Sequence, residues 1–160
     1  MSEQPEKKEE LIKVKFRRPF RYRWKIGELN SRFYEESKKK KLMATKCHKC
    51  NNLQFTPMIV CAKCKVRISD ELHEVSDKGV ISIYNKISIP LMNGWTGEPH
   101  TDPHPIACIK LDSGVYLEHC LEETDIEKIK KGMRVEAVWK PKEERGLGTS
   151  DIKYFRIIEE

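Results

Sequence analysis

The chain has 160 residues, six cysteines and a formal net charge of +6, from 31 Lys plus Arg against 25 Asp plus Glu. A hydrophobic share of 38% beside a charged share of 35% excludes one large apolar core, and no run approaches the roughly 20 apolar residues of a bilayer span. The opening MSEQPEKKEELIKVKF is charged throughout and lacks the apolar centre of a secretory signal, so a cytoplasmic, reducing location is expected, where cysteines point to metal or reactivity ahead of disulfides.

Residues 1–46 hold 15 Lys/Arg against 7 Asp/Glu, and residues 47–160 hold 16 against 18. The basic excess therefore lies ahead of the first cysteine. Within it, residues 1–23 read as an extended arm: Pro5 and Pro19 break any helix, and six cations from Lys13 to Arg23 interleave with Val14, Phe16, Phe20 and Tyr22. Such a segment can dock as an edge strand or remain a solvated tail. Residues 24–41 follow an amphipathic pattern, with Ile26, Leu29, Phe33 and Ser37 at helical spacing and Glu35 and Glu36 ahead of Lys38–Lys41. A helix this short needs packing to be stable, so Trp24, Leu29, Phe33 and Tyr34 are candidates to meet either the chain's own core or a partner.

Cys47-His48-Lys49-Cys50 and Cys61-Ala62-Lys63-Cys64 form two CxxC pairs ten residues apart. Each pair can grip one ion from a tight turn, and four thiolates suit a closed tetrahedral Zn²⁺ site that leaves no position for water. The expected metal role is thus one structural zinc over a ribbon at 44–69, with His48 lying between ligands and not among them.

From residue 72 the period changes to two. Ile81, Ile83, Ile87, Ile89 and Leu91 alternate along one segment and Ala107, Ile109 and Leu111 along the next, which stops at the turn Asp112-Ser113-Gly114. Val115, Leu117 and Leu121 continue beyond, with His119 at the intervening inward position. Met133, Val135, Ala137 and Trp139 suggest a fourth strand, and Ile152, Tyr154 and Ile157 a fifth. A short helical piece from Asp125 to Lys131, closed by Gly132, falls between the third and fourth. Five strands in this layout predict an OB-type barrel over 70–160. The intervening Asn93–Pro105 loop, with Trp95, His100 and His104, departs from the barrel rhythm, and long loops on rigid barrels are frequent carriers of function.

The pieces WKIGELNSRFYEESKKKKLMATKCHKCNNLQFTPMIVCAKC, HEVSDKGVISIYNKISIP, HPIACIKLDSGVYLEHC and DIEKIKKGMRVEAVW cover about residues 24–140 and together resemble the acyl-CoA-associated zinc-ribbon/OB proteins catalogued as domain of unknown function 35. The resemblance implies an α+β architecture in three parts: an N-terminal arm and helix (1–43), a rubredoxin-like zinc ribbon (44–69) and a five-stranded OB barrel (70–160). It departs at His73, where family members often have Trp, and in the arm and the His/Pro-rich loop. It further implies a non-catalytic accessory subunit that braces a thiolase-like catalytic chain and helps form its site for CoA or acyl-CoA, as in the small subunits of two-component thiolases such as benzoylsuccinyl-CoA thiolase. Lys65 and Arg67 beside the ribbon, and Trp95, are the first places to look for CoA contact.

Two other classes fit the sequence less well. A single-stranded nucleic-acid binder needs a basic groove with stacking aromatics, whereas ribbon and barrel are net acidic and Tyr84, Tyr116, Trp139, Tyr154 and Phe155 are scattered. A self-contained enzyme would have to draw a nucleophile from Cys108 or Cys120 with His100, His104 or His119, yet strand cysteines are ordinarily inert apolar residues. Neither nucleic acid nor a membrane is expected as a partner.

Overall fold

The structure, a computed structural model, describes Arg23 and residues 25–86, 91–92, 99–100 and 105–158, with only the backbone for 91–92 and 99–100. Residues 1–22 of the arm, Trp24, Ile87, Ile89, Trp95 and His104 lie outside the described residues.

Helix α1 spans Glu28–Lys38, shorter at both ends than the expected 24–41. Gly27, at φ 79°, turns the chain into it, and its carbonyl accepts from the Ser31 N–H at 3.0 Å. At the other end the Lys40 N–H donates to the Ser37 carbonyl and the Lys41 N–H to Glu36, a Schellman-type closure with Lys40 left-handed at φ 64°. Lys39–Lys41 therefore lie beyond the helix. A side chain at that φ is strained, so Lys40→Gly should raise stability by about 1 kcal/mol, read as a higher thermal midpoint; an unchanged or lower midpoint would contradict this cap assignment.

Two short strands follow, β1 (Leu42–Lys46) and β2 (Leu53–Gln54), then β3 (Leu72–Val75). They form one antiparallel sheet in the order β2-β1-β3 that sequence reading did not foresee. Four of the five β1 residues are buried, which hides the alternation that would have signalled a strand. The pairing of Leu42 with Val75 ties the ribbon to the segment that leads into the barrel.

The barrel comprises β4 (Lys78–Lys86), β7 (Pro105–Leu111), β8 (Tyr116–Cys120), β9 (Arg134–Trp139) and β10 (Ile152–Ile157); the small β5 (Leu91–Met92) and β6 (Pro99–His100) pair between β4 and β7. Antiparallel pairing runs β10-β9-β4-β7-β8, and a parallel bridge between Leu121 and Phe155, with the Glu122 N–H donating to the Phe155 carbonyl at 2.9 Å, joins the two ends. This closed order is that of the expected OB barrel. Ile81, Ala107, Ile109, Leu111, Val135, Ile152 and Phe155 fill it with Leu42, Ala44 and Val75 from the ribbon sheet. A Cβ on Gly79 would strike the Lys110 carbonyl oxygen, so only glycine permits that approach of β4 to β7.

Two bulges correct the period-two reading. One between Ile81 and Ile83 turns Ile83 outward, where it is 68% exposed, and one between Ile152 and Tyr154 puts Phe155 in the core position expected for Tyr154. The predicted short helix is a 3-10 turn at Ile126–Lys128, capped by the Asp125 carboxylate.

Helix α1 docks on the loop ahead of β10. The single Ser37 hydroxyl hydrogen is shared between two acceptors, the Gly148 carbonyl at 2.7 Å and the Asp151 carboxylate at 2.8 Å, and that buried carboxylate also accepts from the Gly146 and Leu147 N–H groups. Phe33 is buried beside Gly148, with its ring 5.7 Å from Tyr34 and edge-on to Phe55 at 6.4 Å. Phe33, expected among partner-facing residues, is thus taken up by the chain's own fold, because the helix has a barrel loop to pack against.

Candidate functional site

The two CxxC segments fold as matching knuckles. In the first, the Cys47 carbonyl accepts from the Asn51 N–H at 2.8 Å and the Cys47 N–H donates to the Asn52 carbonyl; in the second, the Cys61 carbonyl accepts from Lys65 at 2.9 Å and its N–H donates to Val66. Asn51 and Lys65 close these turns in left-handed conformations, at φ 55° and 58°. The knuckles bring the Sγ atoms of Cys47, Cys50, Cys61 and Cys64 within 4.8 Å of one another.

That arrangement fits one tetrahedral ion. Metal–sulfur bonds of about 2.3 Å require sulfurs about 3.8 Å apart, and Cys50 and Cys61 stand 3.7 Å apart. Cys47 and Cys61 are fully buried and pack on Ile68, so the cluster is closed on that side. The Cys64 N–H, 3.4 Å from the Cys61 sulfur, helps bring that thiol down to about 7, while the hydrogen bond between Cys50 and Cys64 pushes Cys64 up to about 12. One thiol yields its proton readily and the next resists; a cation among them would remove that resistance.

Gln54 is a member of this site that sequence reading missed. Buried on β2, it accepts from the Ala62 N–H at 3.1 Å and places its amide nitrogen 3.9 Å from the Cys61 sulfur, orienting the second knuckle. A lone Gln between knuckles carries no spacing signal.

Lys65 and Arg67 are exposed beside the second knuckle. Arg67 and Leu29 line one cleft of about 750 Å³ between the start of α1 and the 57–60 loop. Tyr34 is half-buried against Phe33 and away from that cleft.

Among the described residues the remaining cysteines do not assemble a nucleophile. Cys108 and Cys120 lie half-buried on the outer face of β7 and β8, with Cys108 opposite Ile83 and Glu118 and Cys120 opposite Ile106. Cys108 faces outward in alternation with the inward Ala107 and Ile109, so it is only half-buried. Burial pushes the Cys120 thiol up, away from thiolate. His119 points its ring at Phe155, 5.7 Å between centroids, and its Nδ1 lies 3.5 Å from the Cys120 carbonyl. The barrel aromatics make no stacking platform among the described residues: Phe155 is core, the Trp139 indole donates to Asp77, and Tyr116 alone of the five is exposed.

Burial holds His119 below its ordinary value of 6.5, with Lys140 adding in the same sense. The unfolded chain therefore binds a proton here that the folded chain resists, and stability contributed by neutral His119 is present above about pH 6.5 and lost as pH falls toward the folded value. Chemical denaturation from pH 7.5 to 5 should show a decline that His119→Gln flattens; an equal decline in the variant would assign it elsewhere. Asp112 and Glu122, held low by Arg134 and Arg156, act in a more acidic window.

Comparison with known proteins places these features in context. Residues 72–140 match the family described as "ChsH2, C-terminal OB-fold domain". A "DUF35 domain-containing scaffold protein" of Methanothermobacter thermautotrophicus is 29% identical over 106 residues, 66% of this chain and 76% of that protein. One of the same description from Methanocaldococcus jannaschii is 26% identical over 105 residues, covering 66% and 72%. Among solved structures, "Ltp2-ChsH2(DUF35) aldolase" superposes with a TM-score of 0.58 at 23% identity, over 84% of this chain and 98% of that one. A DUF35 protein of unknown function from Sulfolobus solfataricus gives 0.56 at 19%, over 82% and 87%. These two structures share the fold.

Proposed function

We propose that this chain, whose residues 72–140 match the ChsH2 C-terminal OB-fold family and which is similar to DUF35 scaffold proteins, is a non-catalytic accessory subunit of an acyl-CoA enzyme complex whose catalytic chain is thiolase-like. The observation that carries this reading is a packed ribbon-and-barrel body whose one assembled chemical group, among the described residues, is a four-cysteine cluster. A four-thiolate metal site holds shape and leaves no ligand position for substrate. The names of the relatives support the same role: two are scaffold proteins, and the ChsH2 chain stands with Ltp2 in an aldolase.

In this reading Cys47, Cys50, Cys61 and Cys64 hold one structural zinc, and the activated groups of the chemistry belong to the partner. Lys65 and Arg67 supply cations suited to the phosphates of coenzyme A at the subunit junction, with Trp95 as a third contact. Among the described residues no helix is long and apolar enough to cross a membrane.

Affinity purification of the full chain from its native cell, followed by mass spectrometry, tests the assembly. An enzyme acting on CoA thioesters should co-purify in simple stoichiometry. Recovery of the chain alone, or with nucleic acid removed by salt, would overturn the proposal.

A further inference from the structure

Seven large apolar side chains are exposed among the described residues, and four of them, Ile26, Met58, Ile59 and Val60, converge on the cleft beside Leu29 and Arg67. Scattered exposed hydrophobes need no explanation, but four on one concavity of about 750 Å³ do. The backbone around this cleft is already engaged. Val60 bridges Arg67, the Ile59 carbonyl accepts from Ile68 at 2.9 Å, and the Met58 N–H and carbonyl are both bonded to the Thr45 hydroxyl. An added strand would find few free partners here, so the cleft must be filled by side-chain anchors, as when an amphipathic helix lies in a groove.

Charge selects the occupant. Residues 44–69 contain Lys46, Lys49, Lys63, Lys65 and Arg67 and no Asp or Glu, while residues 70–160 hold 12 Lys/Arg against 18 Asp/Glu. The near neutrality of the folded part thus conceals a basic ribbon on an acidic barrel. All five ribbon cations are exposed, and none forms an ion pair among the described residues. A tetrathiolate zinc would offset part of this charge and leave it positive. Of the two carboxylates at the cleft, Asp70 is held by Arg32 at 2.6 Å, leaving Glu28. The chain's own residues 1–22, with 7 Lys/Arg against 4 Asp/Glu, carry the wrong sign to be drawn to this surface. Among the described residues a second copy offers one α-helix, α1, and its apolar face is already packed through Phe33 and Ser37 on its own barrel loop.

We infer that this cleft is the docking site for an amphipathic helix of the catalytic subunit, with apolar anchors in the cleft and Asp and Glu facing the ribbon's cations. The inference rests on the accessory-subunit reading. Its test uses the full chain and two synthetic helical peptides of about 18 residues, alike in their apolar stripe, one flanked by Glu and the other by Lys. Fluorescence anisotropy should show saturable micromolar binding of the Glu peptide and binding at least about tenfold weaker for the Lys peptide. Ile59→Glu, at an exposed position and checked for folding by circular dichroism, should weaken the Glu peptide at least about tenfold. No saturable binding, equal binding of both peptides, or indifference to Ile59→Glu would overturn the inference. So would concentration-dependent self-association that Ile59→Glu abolishes, which would make a second copy the occupant. Failure here leaves the purification result standing. Charge-selective binding without a co-purifying enzyme would instead retire the accessory reading and overturn the assignment of the helix to a catalytic subunit, while keeping the cleft as a binding surface.

Discussion

Stripping metal from the four-cysteine cluster should unfold the two knuckles, residues 47–52 and 61–68, while the OB barrel stays folded. The local core consists of Cys47, Cys61 and Ile68 with Cys50, Cys64 and Val66 packed against it, far too little apolar surface to offset the ordering of both knuckles. Structural zinc binding contributes roughly 10–16 kcal/mol of apparent free energy in comparable small sites, and without it nothing bonds the four sulfurs to a common centre. Barrel residues such as Ile81, Ile109 and Phe155 belong to a separate cluster that includes β1 through Leu42 and Ala44 and against which Leu53 and Phe55 pack, so unfolding should be confined to the knuckles and spare β1 and β2. Elemental analysis should find one zinc per chain, and amide hydrogen exchange after chelation should lose protection in the knuckles but keep it in β4, β7 and β9. Protected knuckles in metal-free protein would contradict the assignment. Cys61→Ser should reproduce the effect of chelation.

The second large effect concerns the seam between helix and barrel. Asp151→Ala would strand the N–H groups of Gly146 and Leu147, both now bonded to one buried carboxylate, and leave the Ser37 hydroxyl with the Gly148 carbonyl alone. Leaving such donors unpaired costs about 2–4 kcal/mol together. Gly148→Ala attacks the same seam by shape: at φ 71° a new Cβ would sit 2.7 Å from Phe33 and 2.9 Å from Tyr34. Backbone strain and overpacking make a loss of about 2 kcal/mol or more. Both variants should lower the denaturation midpoint and expose Phe33 and Tyr34 to solvent, detectable as increased exchange in α1. A midpoint within error of the parent would show that α1 is not anchored through this loop.

The parts of this fold that depend on neighbours in sequence were legible there. Two CxxC pairs can only bring their sulfurs together through tight turns, and the alternation of Ala107, Ile109 and Leu111 followed by Asp-Ser-Gly can hardly be other than strand and hairpin. What escaped reading depends on distant or irregular geometry. The Ser37–Asp151 contact joins residues 114 apart in the chain, and a Ser at helical spacing says nothing about it. The bulges at Ile81/Ile83 and Ile152/Tyr154 insert single residues that reverse the facing of everything after them. The buried strand β1 has no alternation to detect, and Gln54 became part of the cluster only when β2 placed it there. The division of charge between ribbon and barrel was present in the composition, but it acquires meaning only beside the cleft that α1 and the ribbon build together.

Accessory function is tested most directly by reconstituted turnover. The co-purified catalytic subunit should be assayed on its CoA thioester alone, with this chain, and with a Cys108→Ser, Cys120→Ser chain. The account predicts weak or unstable activity for the catalytic subunit alone, full and equal activity with either form of this chain, and none from this chain by itself. Full turnover by the catalytic subunit alone, or activity lost with the two serines in a folded chain, would contradict it.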